Sequence, residues 1–203
     1  MFKLPTELAL AALALLTGCT PMASIQPLVE DKEAAAVDPA YLGLWKECTV
    51  NDNGDVYSVE KSHEAVYQYR NLNSGDERGE MRLVKLDGRV FADIRPTGGV
   101  IPGHILAKLR LDGDRLYLSF LREDEAQRAL PHELVDVGES KQVVLTPSTS
   151  QLRQYLQKAP PSAFEEEAQL CRVKSGSCEC KHSQRCQTGH RGKECPAVHS
   201  EGR

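Results

Sequence analysis

The sequence predicts a mainly β domain: one antiparallel meander curled into a small barrel or half-barrel, with two short helices and a flexible, Cys-rich C-terminal tail. Three observations predict it. Short runs of alternating apolar and polar residues succeed one another from Tyr41 onward, and a period of two is the signature of a half-buried strand. Asp87-Gly88 and Asp112-Gly113 each sit between two such runs, where glycine supplies the positive φ that a tight hairpin turn needs. Strands joined in sequence by hairpins make a meander, and a long meander curls to remove its exposed edges.

Taken in order, residues 41–46 open the first strand and carry Trp45. Residues 56–59 follow the turn-rich Asn51-Asp52-Asn53-Gly54. In 65–70, Ala65, Tyr67 and Tyr69 alternate with Val66, Gln68 and Arg70. Asp87-Gly88 joins 80–86 to 89–95, residues 98–103 form a longer connection, and Asp112-Gly113 joins 104–111 to 115–121. Residues 122–130 read as a charged helix that ends at Pro131, and 143–145 return to strand. Ser148-Thr149-Ser150-Gln151 matches a capping box, because the first Ser hydroxyl and the Gln side chain satisfy each other's backbone amides. It opens a helix with Leu152, Tyr155 and Leu156 on one face, stopped by Pro160-Pro161. Residues 170–173 form a final strand.

Alternation assigns faces. Val90, Ala92 and Ile94 share one side of their strand, and Ile105, Ala107, Leu109 and Leu111 share one side of theirs. These sides face the core, since a one-residue slip would expose all of them. Asp93, Arg95, His104 and Lys108 then point outward as exposed polar residues, so an Asp93/His104 pair is not expected to form a catalytic site. No Gly-x-Ser-x-Gly, His-Glu-x-x-His or phosphate-cradling glycine loop occurs, and no catalytic residue is assigned. The small inward residues Ala65, Ala92 and Ala107 leave room for an apolar ligand in a cavity also lined by Trp45, Tyr67 and Phe120, unless the larger side chains fill it.

The N-terminus predicts compartment. Lys3 precedes an apolar run over 8–16, which ends in Leu16-Thr17-Gly18-Cys19. The run is too short for a comfortable transmembrane span and fits a signal h-region. With a small residue just before the cysteine, it resembles the lipobox of bacterial lipoproteins. That resemblance implies cleavage before Cys19 and acylation of Cys19, which anchors the chain to a membrane. Thr20 in place of aspartate implies the outer membrane of a Gram-negative bacterium, facing the periplasm. The expected organisation is a signal peptide over 1–18, a flexible tether over 19–40, a β domain over 41–173 and a basic Cys/His tail over 174–203.

The 203 residues carry a net charge of −4. The charge is uneven: residues 172–203 hold seven Lys/Arg against three acids. An acidic body argues against a nucleic-acid partner. With Cys19 lipidated, six of the seven cysteines remain, an even number that suits disulfides in an oxidising compartment. Cys48 and Cys171 flank the core region and are the preferred long-range pair. Cys178, Cys180, Cys186 and Cys195 are disulfide partners, or join His182 and His190 as ligands for Zn²⁺ or copper, or stay reduced in an unstructured tail. The expectation is no cofactor, with zinc in the tail as the exception.

Several segments carry a further resemblance: Leu44-Trp45, residues 89–96, residues 111–116, Val144-Leu145-Thr146 with residues 148–152, and Leu170-Cys171-Arg172. Together they resemble a group of uncharacterised bacterial lipocalin-like proteins, often lipoproteins, over roughly residues 41–173. The resemblance implies a lipocalin-like barrel and brings no catalytic residues with it. The expected function is a non-catalytic binding or structural module of the cell envelope, touching a small apolar ligand or an envelope protein. A metal-handling role for the tail is the alternative, and an envelope hydrolase is a second one.

Overall fold

The computed structural model describes residues 22–48, 54–98 and 102–174. Cys19 and the tail residues Cys178, Cys180, His182, Cys186, His190 and Cys195 lie outside the described residues.

In chain order the strands are β1 (Ala23–Ser24), β2 (Gly43–Glu47), β3 (Val56–His63), β4 (Val66–Asn71), β5 (Arg78–Leu86), β6 (Arg89–Pro96), β7 (Ile105–Asp112) and β8 (Arg115–Phe120). Helix α1 (Glu123–Ala129), β9 (His132–Val137), β10 (Ser140–Leu145), helix α2 (Thr149–Lys158) and β11 (Ala168–Arg172) follow. Strands β2 to β8 pair consecutively and antiparallel, and β11 pairs with both β8 and β2, so eight strands form a closed barrel. The predicted meander is therefore a full barrel. Its last strand arrives only after an excursion through α1, β9, β10 and α2. Strands β1, β10 and β9 form a separate three-stranded sheet in which β1 runs parallel to β10.

The hairpins follow from local chemistry. Asp87 and Gly88 both have positive φ, 48° and 78°, as a two-residue primed turn requires. The β7–β8 turn is shifted by one residue from the sequence expectation and uses Gly113 (φ 57°) and Asp114. Three tight turns, at 64–65, 87–88 and 113–114, gather at one end of the barrel. The short helix Pro39–Tyr41 sits there too, and we call this the closed end. The strand ends at Glu47, Val56, Asn71, Arg78, Pro96 and Ile105 gather at the opposite end, the mouth.

Disulfide Cys48–Cys171 spans 123 residues with Cα atoms 5.3 Å apart. It joins the residue that follows β2 to β11, at the seam where the barrel closes. At the closed end Arg172 lies over the Trp45 indole, 4.2 Å from its centroid. It also donates to Leu42 O (2.6 Å) and Ala40 O (2.5 Å). Trp45 is fully buried and donates from Nε1 to Tyr41 O (2.9 Å).

The barrel wall has apolar residues on both sides. Inside, Trp45, Val59, Tyr67, Met81, Leu83, Ala92, Ala107, Leu109 and Leu116 pack together. Outside, Val84, Phe91 and Leu106 pack against Leu28, Val29, Val143, Leu145, Leu152 and Leu156. This second core lies under β10, α2 and the N-terminal segment. Helix α2 starts with the predicted capping box at Ser148 and Gln151. At its other end Arg89 of β6 donates to Leu156 O (2.9 Å), Gln157 O and Ala159 O (3.2 Å). These carbonyls have no intrahelical partner. Arg89→Ala is expected to cost about 1.5–3 kcal/mol. A thermal melt then drops by roughly 3–12 °C, and an unchanged melt would show the cap to be dispensable.

Residues 22–38 depart most from the sequence expectation. They are no tether: Leu28 and Val29 are buried, at 0% and 1% exposure. The segment is an arm running down the outside of the barrel, and the folded domain begins near Met22 rather than Tyr41. At the mouth end, Ser24 exchanges backbone hydrogen bonds with His104 (2.8 Å each). Farther along, Ala35 N donates to Leu83 O (2.9 Å), and at the closed end Val37 N donates to Glu64 O (2.9 Å). Asp38 N then donates to Tyr67 Oη (2.6 Å), and the chain enters β2. Arg153 of α2 fastens the arm from above, donating to Leu28 O (2.9 Å) and pairing with Glu33 (2.7 Å).

Candidate functional site

The six residues expected to line a cavity separate into three groups. Trp45, Tyr67, Ala92 and Ala107 are fully buried at 0% exposure, so no void large enough for a water molecule touches them. They fill the barrel's middle. Ala65 is in the β3–β4 turn at the closed end and lines nothing inside. Phe120 is half-buried at the mouth. Of the two alternatives the filled one describes the barrel's middle, where Trp45, Tyr67 and Met81 pack with the two alanines.

The mouth is where inward-facing side chains meet solvent. Strand alternation carries Glu47, Tyr57, Tyr69, Ile94, Leu118 and Phe120 inward at this end, and each is half-buried. Tyr57 lies opposite Trp45 on one side and Asn71 on the other. Glu77 ties the rim together, accepting from Asn71 Nδ2 (3.1 Å) and Tyr57 Oη (3.4 Å). Gly79 lets Tyr69 lie across the wall, since a Cβ there would stand 2.9 Å from the Tyr69 ring and 2.3 Å from Arg95 O. We call this half-buried end of the barrel the cup: Ile94, Leu118 and Phe120 are its apolar floor, and phenols and carboxylates its rim.

Electrostatics at the rim run in one direction. Burial raises the Glu47 carboxyl, and the neighbouring charge of Asp55 adds to it. Burial, followed by the charges of Glu77, Asp55 and Glu47, holds the Tyr57 phenol far above its ordinary range. Burial, with Glu77 second, pushes Tyr69 up to about 12. A folded-state pKa above the unfolded value of about 10 means the fold holds the neutral phenol. That stability is fully present below pH about 10 and is lost as pH rises from there toward about 12. Tyr69→Phe is expected to reduce this alkaline loss while changing stability at pH 7 little. Urea unfolding across that pH range measures it, and a parallel loss in both proteins would refute it.

No protein-family model matches this chain. No curated protein matches its sequence and no solved structure matches its fold.

The second arrangement of polar groups is one that sequence reasoning dismissed. Asp93 and His104 were expected to point into solvent, yet Asp93 is only 2% exposed. His104 Nδ1 donates to Asp93 Oδ1 (2.5 Å), while Asp93 Oδ2 accepts from Leu28 N (2.7 Å) and Val29 N (3.3 Å). Both residues do point outward from the barrel, as alternation requires, but the arm covers them. A carboxylate saturated by two amides and an imidazole is a clasp. Ser24, paired with His104 through its backbone, turns its hydroxyl to Gln26 O (2.8 Å) instead of to the imidazole. The surface clefts lined by Arg122, Glu123 and Phe164, and by Thr146, Ser148 and Arg153, contain neither clasp residue. Among the described residues no group of three or more His, Cys, Asp or Glu is placed to hold a metal ion.

Proposed function

We propose that this chain is a lipocalin-like, lipid-anchored module of the bacterial cell envelope. Acylated Cys19 holds it at the outer membrane facing the periplasm, and the barrel acts without catalysis as a binder at its mouth. The observation that carries the binding role is the half-buried cup of Tyr57, Tyr69, Ile94, Leu118 and Phe120 above the fully buried Trp45, Tyr67, Ala92 and Ala107. Such a cup takes a small ligand whose apolar part lies on the floor and whose hydrogen-bond donors meet Glu47, Glu77 and the phenols. The Leu-Thr-Gly-Cys motif supports the anchor.

Two measurements test the two halves of this reading. The mass of the mature N-terminal peptide is expected to include diacylglycerol and an acyl chain on Cys19, with Cys19→Ser releasing the chain from membranes. Trp45 lies beside Tyr57, so its fluorescence reports on the cup. Titration with short amphipathic amines is expected to shift the emission of the native chain and to leave a Phe120→Asp variant unaffected. A silent native chain across such compounds would remove the binding role and leave a structural one.

A further inference from the structure

We infer that the mouth of the barrel is its membrane-proximal end, apposed to the bilayer that holds the lipid anchor. The inference rests on Cys19 lipidation as proposed above and adds an orientation to it. A lipoprotein with a long free tether samples many orientations, whereas this arm is bonded to the barrel along its whole course. Ser24 pairs with His104 at the mouth end, Leu28 and Val29 are bound by Asp93, and Val37 reaches the closed end. The chain therefore leaves the folded domain at the mouth. Met22 is three positions on from Cys19, with only Thr20 and Pro21 between them, a reach of at most about 11 Å. The closed end is a further ~20 Å away, given eight-residue strands tilted as barrels require. The acylated residue can stand beside the mouth and cannot place the closed end against the same membrane.

The rim also offers groups that can meet lipid headgroups. Glu47, Asp55 and Glu77 present carboxylates there, which suit the ammonium groups of an aminophospholipid. Arg70, Arg78 and Arg95 are exposed at the same end, and the closed end mixes Lys61, His63, Lys85 and Arg115 with Glu64, Asp87, Asp112 and Asp114, so the docked arm and not the charge carries the orientation. A ligand of the cup then exchanges with the membrane surface and not with free solution.

The test uses the full lipidated chain in vesicles of phosphatidylethanolamine and phosphatidylcholine. A benzophenone amino acid replaces either Ser74, in the mouth-end β4–β5 turn, or Asp112, at the closed end, both exposed. Irradiation is expected to give phospholipid adducts at Ser74 in at least severalfold excess over Asp112. Equal yields, or an excess at Asp112, with Cys19 shown by mass to be lipidated, would overturn the orientation alone. A mature chain without lipid on Cys19 would overturn the anchor and the orientation together. A long Gly/Ser insertion between Thr20 and Pro21 is expected to abolish the Ser74 excess while the chain stays membrane-bound. An excess that survives the insertion would refute the docked arm as the cause of the orientation.

Discussion

Replacing Asp93 with alanine is expected to cost about 3–5 kcal/mol of stability and to free the N-terminal arm. Asp93 is buried, and its two oxygens serve three donors: His104 Nδ1, Leu28 N and Val29 N. Alanine leaves two buried amides without acceptors and the imidazole without its partner, and each orphaned group carries a desolvation penalty of about 1–3 kcal/mol. It also opens a gap beneath Leu28 and Val29, which anchor the outer core. Asp93→Asn keeps one oxygen for the amides and is expected to lose only about 1–3 kcal/mol. Urea unfolding gives the stability change, and limited proteolysis within residues 22–37 reports the arm. An alanine variant that loses under about 1 kcal/mol, with the arm still protected, would show that the clasp does not hold it.

Removing the Cys48–Cys171 bond is the second large effect. A cross-link 123 residues apart withdraws closure entropy from the unfolded chain worth about 5 kcal/mol. The paired strands β2 and β11 persist without the bond. A Cys48→Ser/Cys171→Ser double variant is the proper comparison, because a reductant would also open any other disulfide and a single substitution leaves an unpaired cysteine. Its melting temperature is expected to fall by roughly 10–20 °C, with the barrel's circular dichroism retained at low temperature. A fall of less than about 4 °C would mean that the unfolded chain is already compact around this seam.

The barrel was legible because its signals are local. The Asp87-Gly88 turn, the inward phase of Val90, Ala92, Ala107 and Leu109, and the Ser148 capping box are each written in a few adjacent residues. The arm was not legible, because it has no periodicity of its own. Its amides are satisfied by Asp93, His104, Leu83 and Glu64 of other elements, and no pattern within 22–38 records partners so distant in sequence. The misplacement of Asp93 and His104 has the same origin. Alternation reveals which side of a strand a residue occupies and nothing of what covers that side. One signal was present: Phe91 and Leu106 share the outward side with Asp93 and His104, and large apolar residues on a barrel exterior point to a second layer. The cup was partly legible through Phe120. Tyr57, Tyr69 and Glu77 were missed because only the register across β3, β4 and β5 brings them to one rim.

The late arrival of β11 also sets the order in which this molecule can be made. Strands β2 to β8 emerge as successive hairpins and can zip as the chain lengthens. The unpaired edges of β2 and β8 then wait through roughly fifty more residues for their shared partner. During that interval the nascent sheet is an open ribbon with two sticky margins, the form in which β proteins most readily associate with their neighbours. A chain that stops short of Ala168 would be left in that form, so quality control on this protein reduces to whether its final strand has been delivered.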